Sequence, residues 1–301
     1  MSKTSELISN LQQQDLFEVL KRKDIRAASE KMSVTEARFL VDNYYIAQRE
    51  RIRFDNQIRE MKATGEPNLV LTYLSTQAAK REEIIKKSLD DFTIDHPVGA
   101  WMRTIHGIGP VTAAGLLAHI DITRAPTVGA IWKFAGIEGS AIWEKGEKRP
   151  WNASLKTLCA FKIGESFVKT SGNEKSYYGK IYKQRKLLET ENNKNLVYAE
   201  QAAMQLASKN YFKETATKKY LESGMLSPAN IHARARRYAV KLFLSHLHEV
   251  MYKTILGKNP PAPFAIAILG HAHMLDVPNP EHIRKFVEPI EILDNDFDEE
   301  E

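Results

Sequence analysis

The segment Trp101-Met102-Arg103-Thr104-Ile105-His106-Gly107-Ile108-Gly109-Pro110-Val111-Thr112-Ala113-Ala114 leaves this chain few ways to fold locally. A short helix is predicted to end near Ile105. Gly107 and Gly109 permit the positive-φ turn that reverses the chain. Pro110 suits the first position of a new helix, where its missing N–H costs nothing. That second helix is predicted over residues 110–120. Ala113, Ala114 and Gly115 are small, so two helices can approach closely. The pattern is a helix-hairpin-helix.

The second helix begins with backbone N–H groups that have no partner inside the helix. Together with the positive end of the helix dipole they form an anion site. A DNA phosphate fits such a site without any base being read. Gly107 and Gly109 shape the approach, Ile108 is expected as the apolar residue at the hairpin tip, and Thr112 is expected to donate to the same phosphate. The plainer alternative is a helix–turn–helix connection with no ligand.

The rest of the chain reads as helices, and the fold class is all-α. Ser33-Val34-Thr35-Glu36 matches a capping box, in which the Ser hydroxyl and the Glu carboxylate satisfy free backbone N–H groups. A long helix follows to about Lys62, and Gly65, Pro67 and Asn68 interrupt it. Leu71, Leu74, Ala78, Ile85 and Leu89 recur at roughly helical spacing and predict a second helix over residues 69–90. Residues 1–95 are therefore expected to be a helical arm or hairpin, through which a homo-oligomer is expected to form. His96-Pro97 marks a boundary. Residues 96–257 are expected to be the helix-hairpin-helix domain, with an insertion at about 191–230. Helices are predicted over 154–169, 176–189, 197–209 and 232–256, with a loop at 191–195. Residues 258–301 form a C-terminal extension with an acidic tail.

Charge sharpens the picture. From Glu291 onward there are seven acids and no Lys or Arg; 43 bases then face the 31 remaining acids, which leaves the body at about +12. A basic body attracts a polyanion. Lys145, Lys148, Arg149 and Lys156 lie beside Trp143 and Trp151, a mixture suited to a nucleic-acid backbone. Arg234, Arg237 and Lys241 share one face of the last long helix and are expected to form a second phosphate-contacting surface. The acidic tail is expected to bind a protein partner, to compete with DNA for the basic surface, or to aid solubility. No apolar run is long enough to span a membrane. The single Cys159 lies in an apolar helical stretch and reads as a buried thiol; it fits a reducing cytoplasm, that of a bacterium or a phage-infected cell. His246, His248, His271 and His273 read as core or surface side chains, and no metal site is assigned. No cofactor is implied, and Mg²⁺ enters only if the chain cuts DNA.

From about residue 79 to residue 257 the sequence resembles the C-terminal transposase domain of the bacterial insertion sequence one-ten and one-sixteen family. Asp95-His96-Pro97, the hairpin segment, Leu116-Leu117-Ala118-His119-Ile120, Phe134-Ala135-Gly136-Ile137, Tyr177-Tyr178-Gly179-Lys180-Ile181-Tyr182 and the basic–apolar run 233–243 occur in the family's order. The resemblance implies a DNA-handling protein of a mobile element or phage, and it admits RNA, because the family is associated with structured guide RNAs. Complete family members carry a RuvC-like nuclease domain before this region. Here the preceding residues read as helical, with no strand-borne Asp pattern. The family also implies a catalytic serine after the Ala-Gly-Ile segment; Ser140 is nearby but out of register.

Three functional readings follow. The first is a DNA-binding protein of transposase type that contacts phosphates through its hairpin. The second is an active transposase or recombinase that uses Ser140 or a partner's nuclease domain. The third is an RNA-binding or structural helical module.

Overall fold

The structure is a computed structural model that describes residues 22–139, 143–208, 214–261 and 275–283. Its described residues contain helices and no strand, so the protein is all-α. It divides into two compact units, Met1–Phe92 and Thr93–Glu301.

The first unit holds α1 (Arg22–Ser29), α2 (Val34–Ala63) and most of α3 (Leu69–Ile94). The Ser33 side chain caps α2 by accepting from the Glu36 N–H at 3.1 Å. Few apolar side chains are buried here, chiefly Val41, Ile85 and Leu89 with the small Ala37, Ala47 and Ala78. Polar pairs do much of the stitching between α2 and α3. Arg51 meets Glu82 at 2.7 Å, Arg81 meets Glu50, and the Ser75 hydroxyl donates to Asp55 at 2.6 Å. Phe39, Ile46, Val70 and Tyr73 remain exposed.

The second unit follows the order α4 (Pro97–Thr104), α5 (Pro110–His119), a 3₁₀ turn (Ile122–Arg124), α6 (Val128–Phe134), α7 (Ala153–Thr157), a π-helical turn (Leu158–Ile163) and α8 (Gly164–Lys169). Then come α9 (Tyr177–Lys194), α10 (Ala199–Ser208), α11 (Ala216–Glu222), α12 (Pro228–Ile255) and a 3₁₀ turn (Pro280–His282). Side-chain caps start most of the helices. His96 Nδ1 accepts from the N–H groups of Val98 and Gly99, Asn152 caps α7, Ser176 caps α9 and Ser227 caps α12.

Helix α12 has 28 residues and forms the axis of this unit. Its buried Phe243 joins Trp101 of α4, Phe167 of α8 and Tyr178 of α9 in one aromatic cluster, with ring centroids 4.9–6.2 Å apart. Two tyrosines of α9 pair with two histidines of α12: Tyr178 with His246 Nδ1 at 2.7 Å and Tyr182 with His232 Nδ1 at 2.8 Å. His246 Nε2 sits 2.8 Å from the Leu275 carbonyl, which can only accept, so Nε2 carries the proton and Nδ1 accepts from Tyr178. Residues 275–283 fold back onto α4, where Trp101 Nε1 donates to the Pro278 carbonyl at 2.9 Å and Asn279 bonds the Thr104 hydroxyl at 2.9 Å.

One boundary differs plainly from the sequence reading. The loop expected at 191–195 is helical up to Lys194. The Asn193 amide bonds both the N–H and the carbonyl of Leu226 at 2.8 and 3.0 Å, so a tertiary contact holds a residue that locally favours loops. Within the expected insertion, Ala202 of α10, Leu221 of α11 and Leu226 of the segment that follows are buried in one cluster with Ile231 at the start of α12.

Candidate nucleic-acid interface

The hairpin forms between α4 and α5 and is anchored from beneath. Gly107 has φ +100°, a backbone setting that L side chains rarely adopt. A Cβ there would lie 3.1 Å from both Phe167 Cδ1 and Ser166 Oγ. Gly107 is thus a glycine for two internal reasons, its turn and its seat on the aromatic cluster. The Ile108 N–H donates to the Ile105 carbonyl at 3.0 Å and closes the turn. Ile108 is only 4% exposed, so it packs under the hairpin instead of projecting from its tip. Arg103 Nη1 reaches the Ile108 carbonyl at 3.4 Å, which places a guanidinium beside the turn.

Gly109 is different. Its φ of −95° and ψ of 177° are open to any residue, and among the described residues no atom lies within 4 Å of the position its Cβ would take. The expectation that both glycines supply positive φ is therefore corrected: Gly107 alone does so. Nothing in the chain's own packing requires glycine at position 109.

Gly109 is the N-cap of α5, and its N–H donates to Thr112 Oγ1 at 3.0 Å. The same hydroxyl donates to the Gly109 carbonyl at 3.0 Å. Thr112 therefore closes the start of its own helix, and its hydroxyl is not placed to donate to a phosphate as expected. Pro110 has no N–H. The N–H groups of Val111 and Thr112 precede the first i−4 bond of the helix, which Ala113 makes to Gly109, so these two are the donors that face outward along the axis.

The second basic region surrounds the end of α6. Gly136 has φ +61°, and a Cβ on it would fall 2.6 Å from Trp151 Cγ. Trp151 is thus pressed onto the backbone of Ala135-Gly136-Ile137 and anchors the returning chain. Lys156 Nζ lies 3.7 Å from the centre of the Trp151 ring, and the Arg149 guanidinium lies 5.2 Å from that of Trp143. The two indoles meet edge to face at 6.4 Å, and Trp143 Nε1 donates to the Glu147 carbonyl at 2.8 Å. These tryptophans carry cations and hold the loop. Lys145, Lys148 and Arg149 are exposed on it.

On α12 the three expected cations part company. Arg234 turns inward: its Nε meets Glu189 at 2.8 Å, and its guanidinium sits 4.2 Å from the Tyr198 ring centre. Glu189 is buried, and Arg185 and Tyr198 bond it as well. That network neutralises Arg234 within the fold. Lys241 lies 4.1 Å from the Trp132 ring centre, and Trp132 Nε1 donates to the Lys241 carbonyl. Arg237 opens into a cleft of ≈ 410 Å³ lined also by Gly136, Gly139, Lys156, Phe161 and Arg236.

Arg236 and the π turn were missed in the sequence. Ala233, Arg236, Arg237 and Val240 all line the cleft, and their i, i+3, i+4, i+7 spacing was the available signal. The stem of Arg236 crosses Gly164, where a Cβ would lie 2.8 Å from its Cγ and Cδ, and its guanidinium pairs with Glu165. The π turn Leu158–Ile163 has no sequence signature; it brings Phe161 under Arg236, with 5.3 Å between guanidinium and ring centre. It also buries Cys159 completely, and burial pushes that thiol up to about 12, far from a nucleophilic thiolate. Ser140, His271 and His273 lie outside the described residues, as does the acidic tail. His246 and His248 are spent on hydrogen bonds to Leu275, Tyr178 and Ala125.

The hairpin and the adjoining strip up to the cleft coincide with the region that has a recognisable relative. Residues 100–142 match the Transposase IS116/IS110/IS902 family. The chain thus carries a transposase-family segment, which supports a transposase or mobile-element role. That segment runs from α4 through the hairpin, α5 and α6 to the edge of the basic cleft. No curated protein and no solved structure matches the chain. Among the described residues, no helix is long and apolar enough to cross a membrane.

Proposed function

We propose that this transposase-type protein holds duplex DNA by a backbone phosphate seated on the start of α5. The observation that carries the reading is Gly109. It is a glycine whose backbone is unstrained and whose missing side chain faces open space. A Cβ there would obstruct only something that approaches from outside. Beside it stand the N–H groups of Val111 and Thr112 and the positive end of the α5 dipole, which suit an anion. The contact positions the duplex and reads no base.

The exposed Lys145, Lys148 and Arg149 extend the basic face that steers DNA to the hairpin. The recombinase reading requires Ser140 or a partner's metal site, and the described residues add nothing to it.

The test is Gly109→Ala. The variant folds like the wild type, because its Cβ meets no protein atom. Its affinity for duplex DNA falls roughly tenfold or more, the loss of one charge-assisted contact. Unchanged affinity in the folded variant would remove the proposal.

A further inference from the structure

We propose that the cleft between the end of α6, the π turn and α12 is a second phosphate seat for a nucleic-acid strand, held by Lys156 and Arg237 and shaped by Arg236. The inference rests on the DNA-handling reading and adds to it a distinct point of contact.

Three observations converge. The first is the charge arrangement. Arg234 serves the fold and is paired with the buried Glu189, whereas Lys156 rests only on the Trp151 ring. Among the described residues, neither Lys156 nor Arg237 has an ion pair, and both open into the same cleft. Arg236 supplies a third cation, partly neutralised by Glu165.

The second observation is that these charges oppose one another. The Lys156 ammonium is held below its ordinary value first by burial and then by Arg237 and Arg149. The Arg237 guanidinium is lowered by burial and by Arg234 and Arg236, and the Lys241 ammonium by burial, against the pull of Glu138, and by Arg237. The fold thus gathers like charges that Glu165 and Glu138 compensate only in part. An anion in the cleft relieves that repulsion.

The third observation is shape. The cleft has a volume of ≈ 410 Å³, and Gly136 and Gly139 form part of its wall. Gly139 has φ +99°, and among the described residues no atom lies within 4 Å of its Cβ position, so they leave backbone open at that rim. On the opposite side the π turn presents Ala160 and Phe161. Gly107 of the hairpin packs on Ser166 and Phe167, and Arg236 crosses Gly164, so both sites bear on α8 and keep a fixed spacing.

The ligand is a phosphate of a nucleic-acid strand, either an internal diester or a terminal monoester. Its single negative charge, or nearly double charge at a strand end, matches two uncompensated cations.

The experiment compares the full chain with Lys156→Met/Arg237→Gln, with Gly109→Ala, and with all three changes together. Duplex affinity is measured across KCl concentrations, on duplexes with and without 5′-phosphates. The cleft variant is expected to bind about tenfold more weakly, with a log–log salt slope shallower by roughly 1–2 units. Its effect adds to that of Gly109→Ala on the logarithmic scale. Loss of affinity on every duplex identifies an internal phosphate; loss confined to 5′-phosphorylated duplexes identifies a strand end. Its melting temperature without DNA is expected to rise, because repulsion is removed. Unchanged affinity and slope, in a folded variant of a chain that binds DNA, overturns the seat. Should the wild type bind no DNA, the reading beneath it falls, and pyrophosphate decides the cleft: a rise in melting temperature that the variant loses supports the seat, and no rise overturns it.

Discussion

Replacing Gly107 by alanine tests how the hairpin is held. Two costs follow from the structure. At φ +100° an L residue pays about 1–2 kcal/mol for the left-handed setting. The added Cβ then stands 3.1 Å from Phe167 Cδ1, and that ring cannot easily move aside. Phe167 is fully buried, 4.9 Å from the Tyr178 ring and 5.6 Å from Phe243. Overpacking of this kind costs about 1–3 kcal/mol. Together they give roughly 2–5 kcal/mol, a large part of the 5–15 kcal/mol typical of a domain. Urea unfolding followed by tryptophan fluorescence measures it, since Trp101 lies in the same cluster. The melting temperature should fall by roughly 4–20 °C. Phe167→Leu in the same chain should recover part of the loss, a non-additive pair. Gly109→Ala, by contrast, should change stability by no more than about 0.5 kcal/mol. A Gly107→Ala cost below that same threshold would refute the reasoning, because neither the turn nor the packing would then demand glycine.

Other consequences are independent of this one. Gly136→Ala should destabilise by about 2 kcal/mol or more, since its φ is +61° and its Cβ would fall 2.6 Å from Trp151 Cγ; thermal melting reports it, and a neutral result would mean that Trp151 does not anchor the loop. Burial holds His246 and His248 below the ordinary histidine range, against opposing hydrogen bonds to Leu275 and Ala125. The unfolded chain therefore binds protons that the folded chain does not. This part of the stability is present above about pH 6.5 and is lost as the pH falls below it. A melting temperature that does not drop between pH 7.5 and 5.0 would contradict the assignment. Arg234→Met should lower stability by about 1–3 kcal/mol, because Glu189 loses a partner. It should leave the salt dependence of DNA binding unchanged; a shallower slope would return Arg234 to the DNA surface.

Much of the local architecture was legible. Ser33 and Pro110 mark helix starts through capping and fixed φ, Pro97 marks a boundary, and those rules are local. The last long helix begins at Pro228, four residues before the start read from the sequence. The sequence also pointed to Gly107–Pro110 as the turn between two short helices. The division of labour between the two glycines was not legible. It depends on Phe167, sixty residues away in the chain, lying under one and on nothing lying over the other. The same limit applies to the cations of α12. Periodicity places Arg234, Arg237 and Lys241 on one face, but only the tertiary structure brings Glu189 to the first, a cleft to the second and Trp132 to the third. The π turn escaped because i→i+5 bonding carries no residue signature, and Arg236 escaped because its role depends on Gly164 and Glu165.

The central claim is that a DNA phosphate sits on the backbone donors at the start of α5. Amide proton and nitrogen shifts of the full chain, followed during titration with a short duplex, test it most directly. The Val111 and Thr112 amides should shift strongly downfield and exchange more slowly with solvent as DNA is added, and Gly109→Ala should blunt both effects. Saturable binding that moves other amides while residues 107–113 stay unmoved would contradict the account.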